Sequence, residues 1–291
     1  MSNLNRQSHE ANSHSLLLQS IDKPEDKSKQ DFSILRLLSY NIQVGINTSR
    51  YRHYLTHSWK HLLPHTQRSQ NLDQIAHAIR SFDIVALQEV DSGSFRSSFI
   101  NQIEYLAVRG HFPFWYNQIN RNLGRLAQHS NGLLSRYRAH HIIDHKLPGL
   151  LPGRGAMEVR FGPTAEPLVL LLVHLGLGKR ARMRQLQYIS ELVNSNQHVI
   201  IMGDFNCAAQ SDEIDALLNK THLCEPVDNL HTYPSWQPMH NIDHIMVTPG
   251  IGLNNVKVMD TSISDHLPIM VEVTVPDNLA RYWQERYEKS E

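Results

Sequence analysis

Asn41, Glu89, His174, Asp204, Asp243, Asp265 and His266 share one setting: each stands at an end of a short apolar run. Oxygen and imidazole groups delivered by buried strands sit on rigid supports, which suits a reaction centre. Glu89 is a natural ligand for a hard divalent cation, and Asn41 can orient it or add a carbonyl oxygen. Asp204, Asp265 and the neighbouring Asn206 offer further oxygens. Such a donor set selects magnesium or manganese, whereas zinc favours His and Cys. Magnesium keeps waters and takes phosphate oxygens from a substrate, so few carboxylates are needed. His174 and His266 add donors for a phosphoryl oxygen on which charge develops. Asp243 can hydrogen-bond the far nitrogen of His266, setting its tautomer and favouring its cation. Asp204 can orient or deprotonate an attacking water while Asn206 holds the phosphate.

Each residue taken alone has a plainer reading. A histidine after a buried strand is more often hydrogen-bonded structure than chemistry, and an Asp before an apolar run is usually a turn residue. The strongest single stretch is His198-Val199-Ile200-Ile201-Met202-Gly203-Asp204-Phe205-Asn206, an apolar run ending in a glycine, an acid, an aromatic and an amide. Even this can be a strand followed by a turn. Repetition along the chain outweighs the single alternatives. Direction adds to it: Asn41, Glu89, His174 and Asp204 follow their runs, whereas Asp243, Asp265 and His266 precede theirs. If the second group of strands runs antiparallel to the first, all these residues converge on one edge.

The elements that must position them are legible as runs and periodicities. Strands are expected at residues 34–41, 83–89, 131–136, 156–161, 168–173, 198–204, 245–247 and 267–275. Helical spacing marks 71–81 through Leu72, Ile75, Ala76 and Ile79, and 99–108 through Ile103 and Leu106. It also marks 179–194, with Met183, Leu186, Ile189 and Val193 inward. Ser211 caps a further helix whose first turn carries Asp212 and Glu213, acids that complement the helix dipole. Strands interleaved with helices give a mixed α/β protein. Residues 1–30 are polar and read as a mobile tail, 31–277 as a single catalytic domain, and 278–291 as a charged surface tail or helix. An irregular stretch, 45–70, carries His53, His57, His61 and His65 at every fourth position. No acid or thiol completes a metal site there, and Pro64 interrupts the ladder, so an exposed or substrate-facing helix is the better reading.

Composition narrows the field. With 291 residues the chain can bury a substantial core, and 41% hydrophobic with 19% charged residues is a globular composition. Lys and Arg (28) balance Asp and Glu (28), which argues against indiscriminate gripping of duplex DNA. Cys207 and Cys224 give neither a disulfide framework nor zinc spacing, and Cys207 reads as a small buried residue. No apolar run reaches transmembrane length, and the first thirty residues lack a signal-peptide layout. The expected address is the cytoplasm.

The sequence resembles the endonuclease/exonuclease/phosphatase superfamily, the DNase I-like proteins. The resemblance is carried by Ser39-Tyr40-Asn41, Leu87-Gln88-Glu89-Val90, Asn131-Gly132-Leu133-Leu134-Ser135-Arg136, Val173-His174-Leu175, Gly203-Asp204-Phe205-Asn206, Ile242-Asp243-His244-Ile245 and Ser264-Asp265-His266-Leu267-Pro268. These motifs follow the family's order. The resemblance implies a four-layer α/β sandwich, with two central mixed β-sheets flanked by helices, and metal-dependent cleavage of a phosphate ester. It implies Glu89 as metal ligand with Asn41, Asp265 near the metal, Asp204 and Asn206 at the phosphate and water, and His266 supported by Asp243. His174 would contact phosphate, and Asn131 would lie on the substrate side.

On substrate the sequence departs from the nucleases, for no counterpart of their long DNA-gripping loops stands out. The Val173-to-Leu177 segment, followed by Lys179, Arg180, Arg182 and Arg184, is more similar to the bacterial sphingomyelinase-like, phospholipid-linked branch. Lys179 and Arg180 are the candidates to meet an anionic lipid head group, against the alternative of a solvated helix face. Trp59, Trp115, Tyr233 and Trp236 are candidates for a substrate mouth. The expected substrate is a phospholipid-derived or other small phosphate ester, diester or monoester. The alternatives are a magnesium-dependent nuclease acting on nucleic acid and, less favoured, a silent binding module.

Overall fold

The computed structural model describes residues 31–43, 65–94, 97, 99–122, 128–149 and 153–289. The expectations for residues 1–30, for His53, His57, His61 and Pro64, and for Trp59 lie outside the described residues.

The strands β1 (Ile34–Asn41), β2 (Ile84–Asp91), β3 (Phe114–Asn122), β4 (Gln128–Ser135), β10 (Gly252–Val258) and β11 (Ile269–Thr274) form one sheet, in the order β10-β11-β1-β2-β4-β3. The strands β5 (His141–Lys146), β6 (Gly155–Phe161), β7 (Leu168–His174), β8 (His198–Asp204) and β9 (Asp243–Val247) form a second, in chain order. Both sheets are mixed. β1 and β2 are parallel, as are β7 and β8, while β11 runs antiparallel to β1 and β9 antiparallel to β8.

Central strands here are near-continuous Leu, Val and Ile because both of their faces are covered. The sheets face each other, with β1 and β2 against β8, and β2 and β4 against β7. Helices α1 (His65–Ile79) and α2 (Gln102–Arg109) cover the outer face of the first sheet, where Leu72, Ile75, Ile79, Ile103 and Leu106 share a core with Leu38, Tyr40, Val85 and Leu87. Helices α3 (Lys179–Asn194) and α4 (Asp212–Leu218) cover the second, packing Leu186, Ile189, Val193, Ile214 and Leu217 onto Val169, Leu171, Val199 and Ile201. Alternation along each strand sends the intervening residues, among them Leu37, Leu170 and Ile200, into the space between the sheets. Helix, sheet, sheet and helix make the four-layer sandwich. A last helix, α5 (Asp277–Glu288), buries Leu279 and Trp283 and exposes its charged residues. No helix among the described residues is long and apolar enough to cross a membrane.

Three strands escape the sequence reading: β3, β5 and β10. Each lies at a sheet edge. An edge strand is half solvated, so its sequence mixes polar and apolar residues, as Gly252-Leu253-Asn254-Asn255-Val256-Lys257-Val258 does. Helix α1 begins at His65, inside the stretch expected to be irregular. Helix α2 starts after Asn101, whose side chain accepts from the backbone of Ile103 and Glu104, so Phe99 lies outside it. In α3 the expected inward face holds at Leu186, Ile189 and Val193, but Met183 is exposed. Ser211 caps α4 as expected, accepting from the Ile214 amide.

Candidate active site

Strand direction gathers the polar ends. Asn41 closes β1 and Glu89 lies near the end of its parallel neighbour β2; β11 runs back, so Asp265 and His266, just ahead of it, fall at the same edge. In the second sheet His174 is paired in register with Asp204, and Asp204 with Asp243. The antiparallel placement of β9 and β11 is the one the reversed motifs require. Across the sheets, Asn41 Nδ2 donates to Asp204 Oδ2 at 3.1 Å. The same oxygen lies 3.5 Å from His174 Nε2 and 3.9 Å from His266 Nε2. Gly203 permits the close pairing of β8 with β7: a Cβ there, at φ +146°, would stand 1.9 Å from the Val173 carbonyl oxygen.

Glu89 reaches the edge through a distortion. The pairing of β2 with β4 slips between Leu87 and Val90, and Glu89 has φ +55°. Val85 and Leu87 point into the helix-side core, and strict alternation would send Glu89 after them. Val90 takes that place instead. The bulge thereby turns the Glu89 side chain, 31% exposed, to within 3.9 Å of His174 in the facing sheet. A left-handed non-glycine residue costs about 1–3 kcal/mol, and such strain concentrates at functional sites.

His266 and Asp243 are coupled. His266 Nδ1 donates to Asp243 Oδ2 at 2.8 Å, and Thr232 Oγ1 donates to the same oxygen at 2.5 Å. The Tyr233 ring lies 4.9 Å from the imidazole, centre to centre. Backbone bonds from Leu267 N to Thr232 O and from Ser235 N to Asp265 O fix this segment against the histidine. Burial opposes charge on His266, but the carboxylates of Asp243, Asp204 and Asp265 outweigh it and raise the imidazole to about 10. The ring is therefore a cation at neutral pH. Asp204 is pushed up to about 7, by burial first and then by the charge of Asp243, with His266 opposing. Its Oδ1 accepts from the Asn206 backbone N–H at 2.9 Å, and Asn206 itself has a left-handed backbone, φ +53°. The Asn206 side chain in turn donates to the Leu175 carbonyl at 3.0 Å.

His174 behaves differently. Its Nε2 accepts a 2.5 Å hydrogen bond from Arg154 Nη1, and burial, then Arg154, then His266 hold its pKa well below the usual histidine value. The ring is neutral, and the donor beside it is the guanidinium. Sequence reasoning passed over Arg154 and Thr232. Arg154 stands between glycines at the entry to a buried strand, a signal for a cation held close to backbone, whereas nothing in the sequence distinguishes Thr232.

The substrate-side candidates separate. Asn131 is fully buried and does not line the cleft, donating to Gln118 Oε1 at 3.2 Å and to the Gly155 carbonyl at 3.4 Å. Lys179 is ion-paired with Asp212 of α4. Arg180 lines a cleft of about 640 Å³, together with Glu89, His174, Arg154 and Arg184. Trp115 is partly exposed on the edge strand β3, Trp236 is half-buried, and neither lines this cleft.

Two groups of side chains bear on a cation. Asp204, Asp243 and His266 bring ligand atoms within 4.8 Å of one another. There, however, His266 Nδ1 and Asp243 Oδ2 already serve each other and Thr232. Glu89 has no hydrogen-bond donor among the described residues and opens onto the cleft. Burial raises Asp265 to about 6, His266 opposing and the Glu89 charge adding to the rise. Glu89 on the cleft and the buried Asp265, whose charges oppose each other, are carboxylates that suit a hard divalent ion. Asn41 Oδ1, which also accepts from Gln43 N at 3.2 Å, is the nearby neutral oxygen.

The sequence signature described as the endonuclease/exonuclease/phosphatase family matches residues 38–266. Among curated proteins no sequence matches. Solved structures share the fold. An endonuclease/exonuclease/phosphatase from Beutenbergia cavernae is 17% identical, with a TM-score of 0.64 over 84% of this chain and 72% of its own. A mannosyl-6-phosphatase from Bacteroides thetaiotaomicron is 19% identical, with a TM-score of 0.61 over 82% of this chain and 99% of its own. Beta toxin from Staphylococcus aureus is 16% identical, with a TM-score of 0.58 over 81% of this chain and 99% of its own.

Proposed function

The chain belongs to the endonuclease/exonuclease/phosphatase family of phosphoester hydrolases, and we propose that it is a magnesium-dependent hydrolase of a small or phospholipid-derived phosphate ester. The catalytic domain is taken as residues 31–277. The observation that carries the reading is the juxtaposition, at one shared edge of the two facing sheets, of Asp204 held near pKa 7 with an imidazolium at His266 and the open carboxylate of Glu89.

Bound by Glu89 with Asp265 and Asn41, the ion would withdraw charge from a phosphoryl oxygen. Asp204 accepts the proton of the attacking water at Oδ2, the oxygen that Asn41 orients. His266 donates from Nε2 to a phosphoryl oxygen while Asp243 holds its Nδ1 proton. Arg154, fixed against His174, offers its remaining N–H groups to the phosphate. Asn206 supports the Asp204 carboxylate through its backbone amide.

A panel of phosphomonoesters, phosphodiesters, phospholipids and DNA, run with magnesium and manganese beside Glu89→Gln, tests this. Turnover of small or lipid esters that Glu89→Gln abolishes is the expected result. Strongly salt-dependent DNA binding with DNA cleavage would move the reading to a nuclease. No metal-dependent turnover of any ester would sink the hydrolase reading.

A further inference from the structure

Four basic residues crowd the first two turns of α3: Lys179, Arg180, Arg182 and Arg184. The positive end of a helix dipole disfavours cations in the first turn, and this one has no acid there and no side-chain cap. The structure resolves half of that conflict. Lys179 pairs with Asp212, and Arg182 forms a two-pronged pair with Glu213 at 3.0 and 2.7 Å. Arg180 and Arg184 have no carboxylate partner among the described residues. They stand four positions apart, the spacing at which like charges on a helix repel. Both are exposed, and both line the cleft that Glu89, His174 and Arg154 also line.

The geometry points to a second anion subsite: Arg180 and Arg184 hold a phosphate of the substrate other than the one hydrolysed. The inference rests on the hydrolase reading above and names its substrate class, a small ester carrying two phosphates. Arg154 is taken up by His174, whereas Arg180 and Arg184 are carried on α3 with no such bond among the described residues, so the pair is assigned to a separate anion. A cleft of about 640 Å³ lies within the size range of small-molecule sites, roughly 300–1,000 Å³. Guanidinium groups match a phosphate with paired donors and hold it firmly.

The test compares wild type, Arg180→Gln/Arg184→Gln and Arg180→Lys/Arg184→Lys on fructose 1,6-bisphosphate and fructose 6-phosphate with magnesium. The Gln pair is expected to lower kcat/KM for the bisphosphate, relative to the monophosphate, by about tenfold or more, chiefly through KM. The Lys pair should recover part of that loss. An unchanged ratio overturns the subsite while leaving the hydrolase reading intact. Absence of turnover on every ester of the panel removes that reading instead. Calorimetric binding of fructose 1,6-bisphosphate then judges the subsite alone, and equal binding by wild type and Gln pair, or none by either, overturns it. Flotation with phosphatidylcholine vesicles, with and without cardiolipin, separates the sources of the second phosphate. Capture that depends on the arginine pair assigns it to a lipid; pair-dependent binding of the soluble bisphosphate alone assigns it to a free ester.

Discussion

Glu89 and His174 come from different sheets, yet Glu89 Oε1 lies 3.9 Å from His174 Nε2. The bulge in β2 produces this relationship by turning Glu89 out of its alternating position. Glu89→Gln keeps the shape of the side chain but removes the charge that would hold a hard cation. Activity should fall by orders of magnitude with the fold retained. Magnesium should raise the Tm of wild type by mass action and leave that of the variant unmoved, which thermal unfolding with and without EDTA measures. Equal stabilisation of both proteins would place the ion elsewhere, with Asp204, Asp243 and His266 the next candidate set.

Asp243 keeps His266 charged, so Asp243→Asn should shift the alkaline limb of kcat down from about pH 10. The sign follows from losing a neighbouring anion, and the shift should be roughly 1–3 pH units. The same coupling affects stability. Because the folded value of His266 lies above its ordinary 6.5, the contribution is fully present below 6.5 and is lost as pH rises through about 10. Urea unfolding across that window should show the wild-type advantage over Asp243→Asn shrinking as pH rises.

Asp204→Asn cannot accept a proton at neutral pH. A fall in kcat of about 10²–10⁴-fold is expected, with little change in the magnesium concentration for half-activity. The acid limb that Asp204 sets near pH 7 should disappear from the residual activity. Rescue by raised magnesium would instead make Asp204 a metal ligand.

Arg154→Gln removes a cation from His174. Burial remains the larger influence, so the His174 pKa should rise yet stay below the ordinary histidine value. NMR titration of the His174 ring would detect this, and kcat should fall with it. An unmoved His174 resonance would mean that the guanidinium does not act on the ring.

Gly203→Ala places a methyl 1.9 Å from a backbone oxygen of β7 and keeps a left-handed φ. Destabilisation of about 4 kcal/mol or more is expected, from the urea midpoint or from failure to fold. A loss below 1 kcal/mol would show that β7 and β8 can separate cheaply.

The sequence by itself determined the buried centre of the fold and the chemical character of its edge. Strands covered on both faces must be apolar throughout, so β1, β2, β7 and β8 stand out as runs, and the polar residue closing each run is conspicuous. The order of run and polar group also carried the antiparallel placement of β9 and β11, because side chains meet at one edge only if strand directions alternate suitably. Edge strands β3, β5 and β10 were not legible, since half-solvated segments mix residue types as loops do. Tertiary structure alone decided which charges meet. Four basic residues of one helix look equivalent in sequence, yet Asp212 and Glu213 of α4 neutralise Lys179 and Arg182 and leave Arg180 and Arg184 to the cleft. Likewise Arg154 and Thr232 reach His174 and Asp243 from 20 and 11 residues away. Local periodicity records which face a residue shows to the core, but a hydrogen bond between distant segments depends on how sheets and loops are stacked. That stacking is a property of the whole packed chain.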